Sequence, residues 1–304
     1  MTNICNIKQL ALDKGCTVKE NEPMSRYTTF KIGGSAQALI SVYDITSLKA
    51  ILQQCQKDNV PVFILGKGSN LLVSDNGIEG VVIRLDGDFK RITLVDDETV
   101  CCGAAASLAS LCRFALEKGL SGLEFAWGIP GSAGGAAYMN AGAYGGEMKD
   151  VLLECSHITK NGECGRLSSD ELELSYRHSA YADNQNVITG ITVKLKKDST
   201  AEINARMDDY MNRRKSKQPL EYPSAGSVFK RPAGYFAGTL IQDSGLKGVR
   251  FGGAMVSEKH AGFIINTGSA TCDDVLKLIE HIKQTVKAKF GVELECEIKP
   301  TGVF

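Results

Sequence analysis

Residues 64–73 read ILGKGSNLLV. An apolar strand runs into Gly66-Lys67-Gly68-Ser69-Asn70, and LLVSD leaves it as a second strand. Two glycines free the backbone to curl, so that successive N–H groups can point at one anion. Two familiar phosphate loops fail on spacing. A Walker loop needs G-x-x-x-x-G-K-[ST], which Gly66-Lys67-Gly68 does not offer. A dinucleotide fingerprint needs a third glycine and then a helix, whereas position 71 is Leu and a strand follows. Asp86 stands about 20 residues on, where that fingerprint has its acidic residue, but without the helix it is a decoy. From spacing alone, an ordinary turn between strands competes evenly with an anion cradle.

A second glycine-rich stretch lies downstream. Residues 119–146 read GLSGLEFAWGIPGSAGGAAYMNAGAYGG, with nine Gly, six Ala and the only Trp, Trp127. The run is too apolar and too sharply bounded for a flexible linker. Small residues let the backbone come within contact distance of a flat ligand. A tightly packed crossover is the bland alternative. Dense glycine costs about 0.5–1 kcal/mol per helix or strand position, which favours the ligand reading. Asn140 can hydrogen-bond a ligand or nearby backbone.

Around these segments the chain is an ordinary globular sequence. Of its 304 residues, 43% are hydrophobic and 23% charged, which excludes a long disordered chain. Lys+Arg and Asp+Glu are both 35, so the basic excess of a nucleic-acid binder is missing. No apolar stretch approaches the roughly 20 residues of a spanning helix, and MTNICNIKQLALDK lacks the charged and apolar regions of a secretory signal. Ten cysteines form no CxxC pair, so reduced, mostly buried thiols in the cytoplasm are expected.

Periodicity predicts mixed α and β structure. Helices are expected over 46–59, after Ser107 with Gly119 as the stop, over 201–217, and over 272–290 between a Thr271 cap and Gly291. Strands are expected at 61–66 and 80–85, in a hairpin around Asn161-Gly162, and at 186–195. VELECEIKP near the C-terminus alternates strictly and predicts a strand, with Glu293, Glu295 and Glu297 on its polar face.

Candidate chemistry is sparse. His157, His178, His260 and His281 show no metal spacing, and His281 is expected at the surface. Arg177, in SYRHS, can fork onto a carboxylate, although a lone Arg is more often in a surface salt bridge. Ser227 follows a glycine turn, where a lone Ser is more often structural. Glu297 could face a cleft or water. The basic run RRKSK at 213–217 suits a helix C-terminus or a diphosphate, and composition does not choose.

Taken together, YTTFKIGG, LGKGSNLLVSD, LSGLEFAWGIPGSAGGAAYMNAGAYGGE, SYRHS, PSAGSVFKRP, AGTLIQDSGLKG, GGAMVSEKHAGFIIN and ECEIK, in that order, resemble the UDP-N-acetylenolpyruvoylglucosamine reductases. These are flavoenzymes of peptidoglycan precursor synthesis. The resemblance runs from about Tyr27 to Glu297, and several long motifs in fixed order are far more specific than one glycine loop. It implies an α+β fold: a two-lobed FAD-binding domain of the vanillyl-alcohol-oxidase (PCMH) type plus a smaller α/β substrate domain. The expected lobes are 1–85 and 86–200, with the substrate domain over 201–304. FAD is held non-covalently. The backbone of Gly66, Lys67, Gly68, Ser69, Asn70 and Leu71 takes its diphosphate. Pro130, Gly131, Gly134, Gly135, Asn140, Ala141 and Gly142 line the flavin and its ribityl chain.

The implied reaction has two halves. NADPH reduces the flavin and leaves, and the nucleotide sugar then receives hydride on the terminal carbon of its enolpyruvyl ether. A proton completes the lactyl ether of UDP-N-acetylmuramate. By resemblance Arg177 binds the carboxylate, Ser227 supplies the proton, and Glu297 hydrogen-bonds the enolate. Arg213, Lys217 and Lys230 are implied candidates for the substrate diphosphate, with Gln242 and Lys259 behind them. The tyrosine-bearing loop of one family branch has no clear counterpart, which points to the shorter branch. A cytoplasmic monomer without a nucleic-acid partner or membrane span is expected. Two alternatives stay open: a flavin oxidase of the same fold with another substrate, and a flavin- or nucleotide-sugar-binding protein without turnover.

Overall fold

The computed structural model describes residues 2–304; Met1, the first residue of the expected first lobe, lies outside the described residues. Eight α-helices are described: α1 Thr2–Asp13, α2 Ile45–Lys57, α3 Leu108–Glu117, α4 Ala133–Tyr138, α5 Tyr181–Asn184, α6 Thr200–Lys217, α7 Ala237–Asp243 and α8 Cys272–Phe290. The chain forms two compact units. The first comprises residues 1–20, 38–67 and 80–213; the second comprises 21–37, 68–79 and 214–304.

In the first unit, local signals set the helices. Asp44 caps α2 by accepting from Ser47 N at 2.9 Å, and Leu48, Ile51, Leu52 and Cys55 form its buried stripe. Ser107 caps α3 in the same way through Ser110 N at 3.0 Å. A five-stranded antiparallel sheet runs in the order Cys164–Ser168, Leu152–Ile158, Val187–Lys194, Thr99–Gly103, Ile92–Leu94. The expected hairpin is its outer pair, turned through Gly162 at φ +81°. A second sheet has residues 17–20, 38–42, 80–85 and 62–65 of this unit in its four successive strands, the last two parallel. One apolar cluster packs both sheets and their helices; Ile40, Ile51, Val81, Leu108, Leu111 and Val193 are fully buried in it.

In the second unit, Thr271 and Asp274 form a reciprocal capping box at the start of α8, and Gly291 closes the helix at φ +69°. Val275, Leu278, Ile282 and Val286 are fully buried along its inner stripe, each stabilising the fold by about 1.5–3 kcal/mol. They cover a four-stranded antiparallel sheet ordered Ser224–Ser227, Phe263–Asn266, Ala254–Val256, Arg250–Phe251. Leu71–Val73 pairs in parallel with Lys299–Thr301.

Two expectations change. VELECEIKP is not a strand over 292–298: it makes one isolated bridge there, Cys296 to Phe229, and the regular pairing begins only at Lys299. Its alternation survives only in part, since Val292, Cys296 and Glu297 are all half-buried. Leu294 and Ile298 are buried, and Glu293 and Glu295 are exposed. His281 is half-buried rather than at the surface, with its ring 5.6 Å from that of Phe251. All ten cysteines are free and six are buried. Burial pushes the Cys55, Cys102, Cys112, Cys155 and Cys272 thiols up to about 12, so they stay protonated and inert.

Candidate active site

In the first unit the two glycine-rich segments meet. A Cβ on exposed Gly66 would lie 2.9 Å from Ser132 Oγ, and one on exposed Gly135 would lie 3.1 Å from the same atom. Ser132 caps α4, accepting from Gly135 N at 3.3 Å. Two bare stretches of backbone therefore flank one hydroxyl, an arrangement that fits the diphosphate and ribityl parts of FAD. Pro130 is exposed, Gly131 and Gly142 are half-buried, and Gly134 and Ala141 are buried. Gly134 is needed for packing, because a Cβ would sit 2.7 Å from the Cβ of Ala104.

Asn140 takes the second of the two uses open to it. Its side chain is fully buried, donates to Ser175 O at 3.0 Å and accepts from Lys149 N at 2.9 Å. It thereby holds the turn that carries Arg177. Ser175 and His178 bond to each other across that turn, and Arg177 sits in the left-handed region at φ +58°. A non-glycine residue there stores about 1–3 kcal/mol of strain and marks a functional candidate. Arg177 Nη2 donates to Gly142 O at 3.4 Å, and the guanidinium lies 5.1 Å from the Tyr176 ring centre.

Sequence reasoning missed the partner of this region in the first unit. Tyr144 and Tyr210 of α6 stack with ring centres 4.8 Å apart and planes 3° from parallel. Arg206, one turn earlier on α6, binds Glu124 at 2.8 Å and Asp198 at 2.5 Å. Burial pushes Glu124 upward, but bonds from Arg206, Gly122 and Ser121 outweigh it and hold the carboxyl below its usual range. The spacing of Arg206, Tyr210 and Arg213 at i, i+4 and i+7 was the available signal. Arg213 itself pairs with Asp209 at 2.8 Å.

In the second unit, Gly68 is buried at φ +62°, where a Cβ would come within 2.2 Å of Tyr27 O. Ser69, Asn70 and Leu71 are half-buried. Asn70 Nδ2 donates to Glu297 O at 3.1 Å, and Lys299 N donates to Asn70 O at 3.0 Å. The ladder between Ser224–Ser227 and Phe263–Asn266 carries one extra residue, since Ser224 faces Ile265 and Ser227 faces Phe263. Gly226 absorbs it at φ +80°, with open space beside it, and the bulge re-aims Ser227. Val228 O accepts from Glu297 N at 2.7 Å, so Ser227 and Glu297 ride on adjacent segments.

The diphosphate candidates of this unit make separate contacts or lie exposed. Lys230 pairs with Glu295, Lys259 reaches Lys215 O at 2.8 Å and Glu221 at 3.7 Å, and Lys217 and Gln242 are exposed or nearly so.

A model of the UDP-N-acetylenolpyruvoylglucosamine reductase C-terminal domain matches residues 218–301, and a model of an FAD binding domain matches residues 36–168. Proteins named UDP-N-acetylenolpyruvoylglucosamine reductase from Syntrophomonas wolfei and Listeria innocua are each 48% identical over 285 residues, covering 94% of this chain and 95% of each relative. The chain belongs to the UDP-N-acetylenolpyruvoylglucosamine reductase family. The crystal structure of the reductase from Thermus caldophilus matches at 37% identity and TM-score 0.80, over 94% of this chain and 98% of that one. A berberine bridge enzyme variant matches at TM-score 0.51 and 15% identity over 64% of this chain and 44% of its own, a likeness of fold alone. The reductase family and these neighbours agree with the expected FAD-binding fold plus a reductase C-terminal domain.

Proposed function

We propose that this chain reduces the enolpyruvyl ether of UDP-N-acetylglucosamine enolpyruvate to UDP-N-acetylmuramate with NADPH, using non-covalently held FAD. Family membership supports the reaction and both cofactors. The observation that carries the residue assignments is the 2.7 Å bond from Glu297 N to Val228 O, which ties the neighbour of Ser227 to Glu297.

FAD, when bound, supplies the relay that accepts hydride from NADPH and passes it to the terminal carbon of the enolpyruvyl group. Gly66 to Leu71 hold its diphosphate, and the backbone around Pro130, Gly131, Gly134, Gly135 and Asn140 to Gly142 lines its flat and ribityl parts. Arg177 binds the substrate carboxylate through its planar fork, where negative charge accumulates as the enolate forms. Glu297, in its neutral form, donates a hydrogen bond to that enolate. Ser227 hands its hydroxyl proton to the neighbouring carbon. A serine hydroxyl is a weak acid, so the placement that Gly226 imposes supplies much of the effect. Arg213, Lys217, Lys230, Gln242 and Lys259 are assigned to the nucleotide diphosphate.

The assigned lobes are 1–85 and 86–200, with a substrate domain over 201–304. The enzyme works in the cytoplasm as a monomer; among the described residues, no helix is long and apolar enough to cross a membrane. The test is a visible spectrum of the purified protein before and after anaerobic NADPH. Flavin bands that bleach, then return when the enolpyruvyl nucleotide sugar is added, are expected. Bands that ignore the sugar overturn the substrate, and a colourless protein that FAD cannot reconstitute overturns the whole reading.

A further inference from the structure

His260 lies between the Ala254–Val256 and Phe263–Asn266 strands, and the proposed chemistry does not use it. Its ring is wedged in place. A Cβ on Gly238 would come within 3.2 Å of its Cε1 and one on Gly262 within 3.0 Å, while the Phe263 ring stands edge-on with centres 5.0 Å apart. Ser257 Oγ accepts from the backbone N–H of Lys259 at 3.2 Å and of His260 at 3.3 Å, fixing the loop below the ring. Nδ1 of His260 accepts from Gly262 N at 3.1 Å. A ring nitrogen that accepts carries no proton, so the proton of the neutral ring is on Nε2.

That bond is the first link of a longer connection. Gly262 O accepts from Val228 N at 2.9 Å, and Val228 O accepts from Glu297 N at 2.7 Å. A run of three hydrogen bonds thus starts at one imidazole and ends beside both Ser227 and Glu297. We propose that His260 is a positioning residue: its unprotonated Nδ1, by holding the Gly262 N–H, fixes the strand that presents Ser227 and the segment that presents Glu297. The inference rests on the proton-donor role assigned to Ser227.

The arrangement is sensitive to acid. Protonation at Nδ1 sets two N–H groups against each other and breaks the first bond of the run. Burial lowers the pKa of His260 from the usual histidine value; an interaction with its own backbone raises it but is outweighed, and the charge of Lys247 adds to the lowering. Lys259 turns away to Glu221 and Lys215 O, and the Glu258 carboxylate lies against Gly248. The alignment of Ser227 therefore persists at neutral pH and is lost as the pH falls through the titration of His260.

The test compares wild type with His260→Leu and His260→Asn, all loaded with FAD. Asn Oδ1 can accept the N–H two residues on, as in an Asx turn, and does not titrate. Imidazole 15N NMR of the wild type is expected to show the Nε2–H tautomer. His260→Leu is expected to keep flavin reduction by NADPH and to lose about 10²-fold in the second half-reaction, the scale of a misplaced group. His260→Asn is expected to recover most of that loss and to flatten the acid limb. An Nδ1–H tautomer, or equal rates and pH profiles in the two variants, overturns the proposal. Should His260→Leu fail to fold, the comparison of wild type with His260→Asn decides, and an unchanged acid limb overturns it. Product formation by Ser227→Ala would instead sink the role of Ser227, while the tautomer and the Gly262 amide shift still report on the His260 bond.

Discussion

Asn70, in the loop assigned to the FAD diphosphate, donates its side-chain N–H to the backbone carbonyl of Glu297 at 3.1 Å. With Lys299 N donating back to Asn70 O at 3.0 Å, the loop and the segment bearing the candidate carboxyl form one hydrogen-bonded piece. The two lie 227 positions apart in sequence. A disturbance of the loop is therefore transmitted to the backbone around Glu297, through the Asn70 side chain and through the backbone bond from Lys299.

Gly68→Ala tests that loop. The new Cβ would approach Tyr27 O to 2.2 Å, in a left-handed conformation that already disfavours a side chain. The backbone must shift, at a cost of about 1–3 kcal/mol. A lower melting temperature and loss of FAD on gel filtration are expected. Full FAD content at wild-type stability would remove Gly68 from the cradle.

Ser227→Ala separates the half-reactions. The variant is expected to retain FAD and to bleach normally with NADPH, because neither step needs the hydroxyl. It is then expected to stay reduced when the enolpyruvyl nucleotide sugar is added. Stopped-flow absorbance reads both phases, and normal re-oxidation with product formation would take Ser227 out of the mechanism.

Arg177 pits strain against function. Arg177→Gly frees a left-handed position and raises unfolded-state entropy; these terms oppose each other, so stability should stay within about 1 kcal/mol of wild type. Arg177→Lys keeps the charge and loses the planar fork. Loss of a charged hydrogen bond worth about 1.5–3 kcal/mol lowers kcat/KM roughly ten- to a hundredfold. Near-normal turnover of the Lys variant counts against carboxylate recognition at this position.

Arg206→Ala leaves the buried Glu124 carboxylate without its cation. A charged hydrogen bond of this kind contributes about 2 kcal/mol, which denaturant unfolding can resolve. Adding Glu124→Gln to Arg206→Ala should recover part of the loss, because the orphaned charge is gone. A double variant no more stable than Arg206→Ala would show that the charge is not what the pair manages.

His157 predicts a pH dependence of stability. It is buried, its Nδ1 lies 2.9 Å from Tyr181 Oη, and burial holds its pKa below the usual histidine value. The unfolded chain takes up a proton near pH 6.5, where the folded chain has not yet done so. The unfolded state therefore binds more protons as pH falls from about 6.5, and stability declines through that window down to the folded pKa. Unfolding curves between pH 7 and pH 5 should show this slope, and His157→Gln should reduce it. An unchanged slope in His157→Gln would assign the titration elsewhere.

Local signals in the sequence determined the elements. Ser107 and Thr271 cap the helices that start beside them, Gly162 turns the hairpin and Gly291 ends α8. The ordered motifs around Gly66–Leu71, Arg177 and Ser227 fixed the family. These features were legible because a cap, a stripe or a glycine turn is settled within one or two turns of chain. Tertiary structure decided everything that needs a partner. The alternation in VELECEIKP was visible, but only the single bridge to Phe229 shows that it lacks a ladder. Asn140 kept two possible uses until Ser175 and Lys149 claimed its side chain. The bonds joining His260, Gly262, Val228 and Glu297, and the one from Asn70, cross between remote segments. Hydrogen bonds form between groups that packing brings within about 3 Å, and no sequence spacing encodes which remote groups those are.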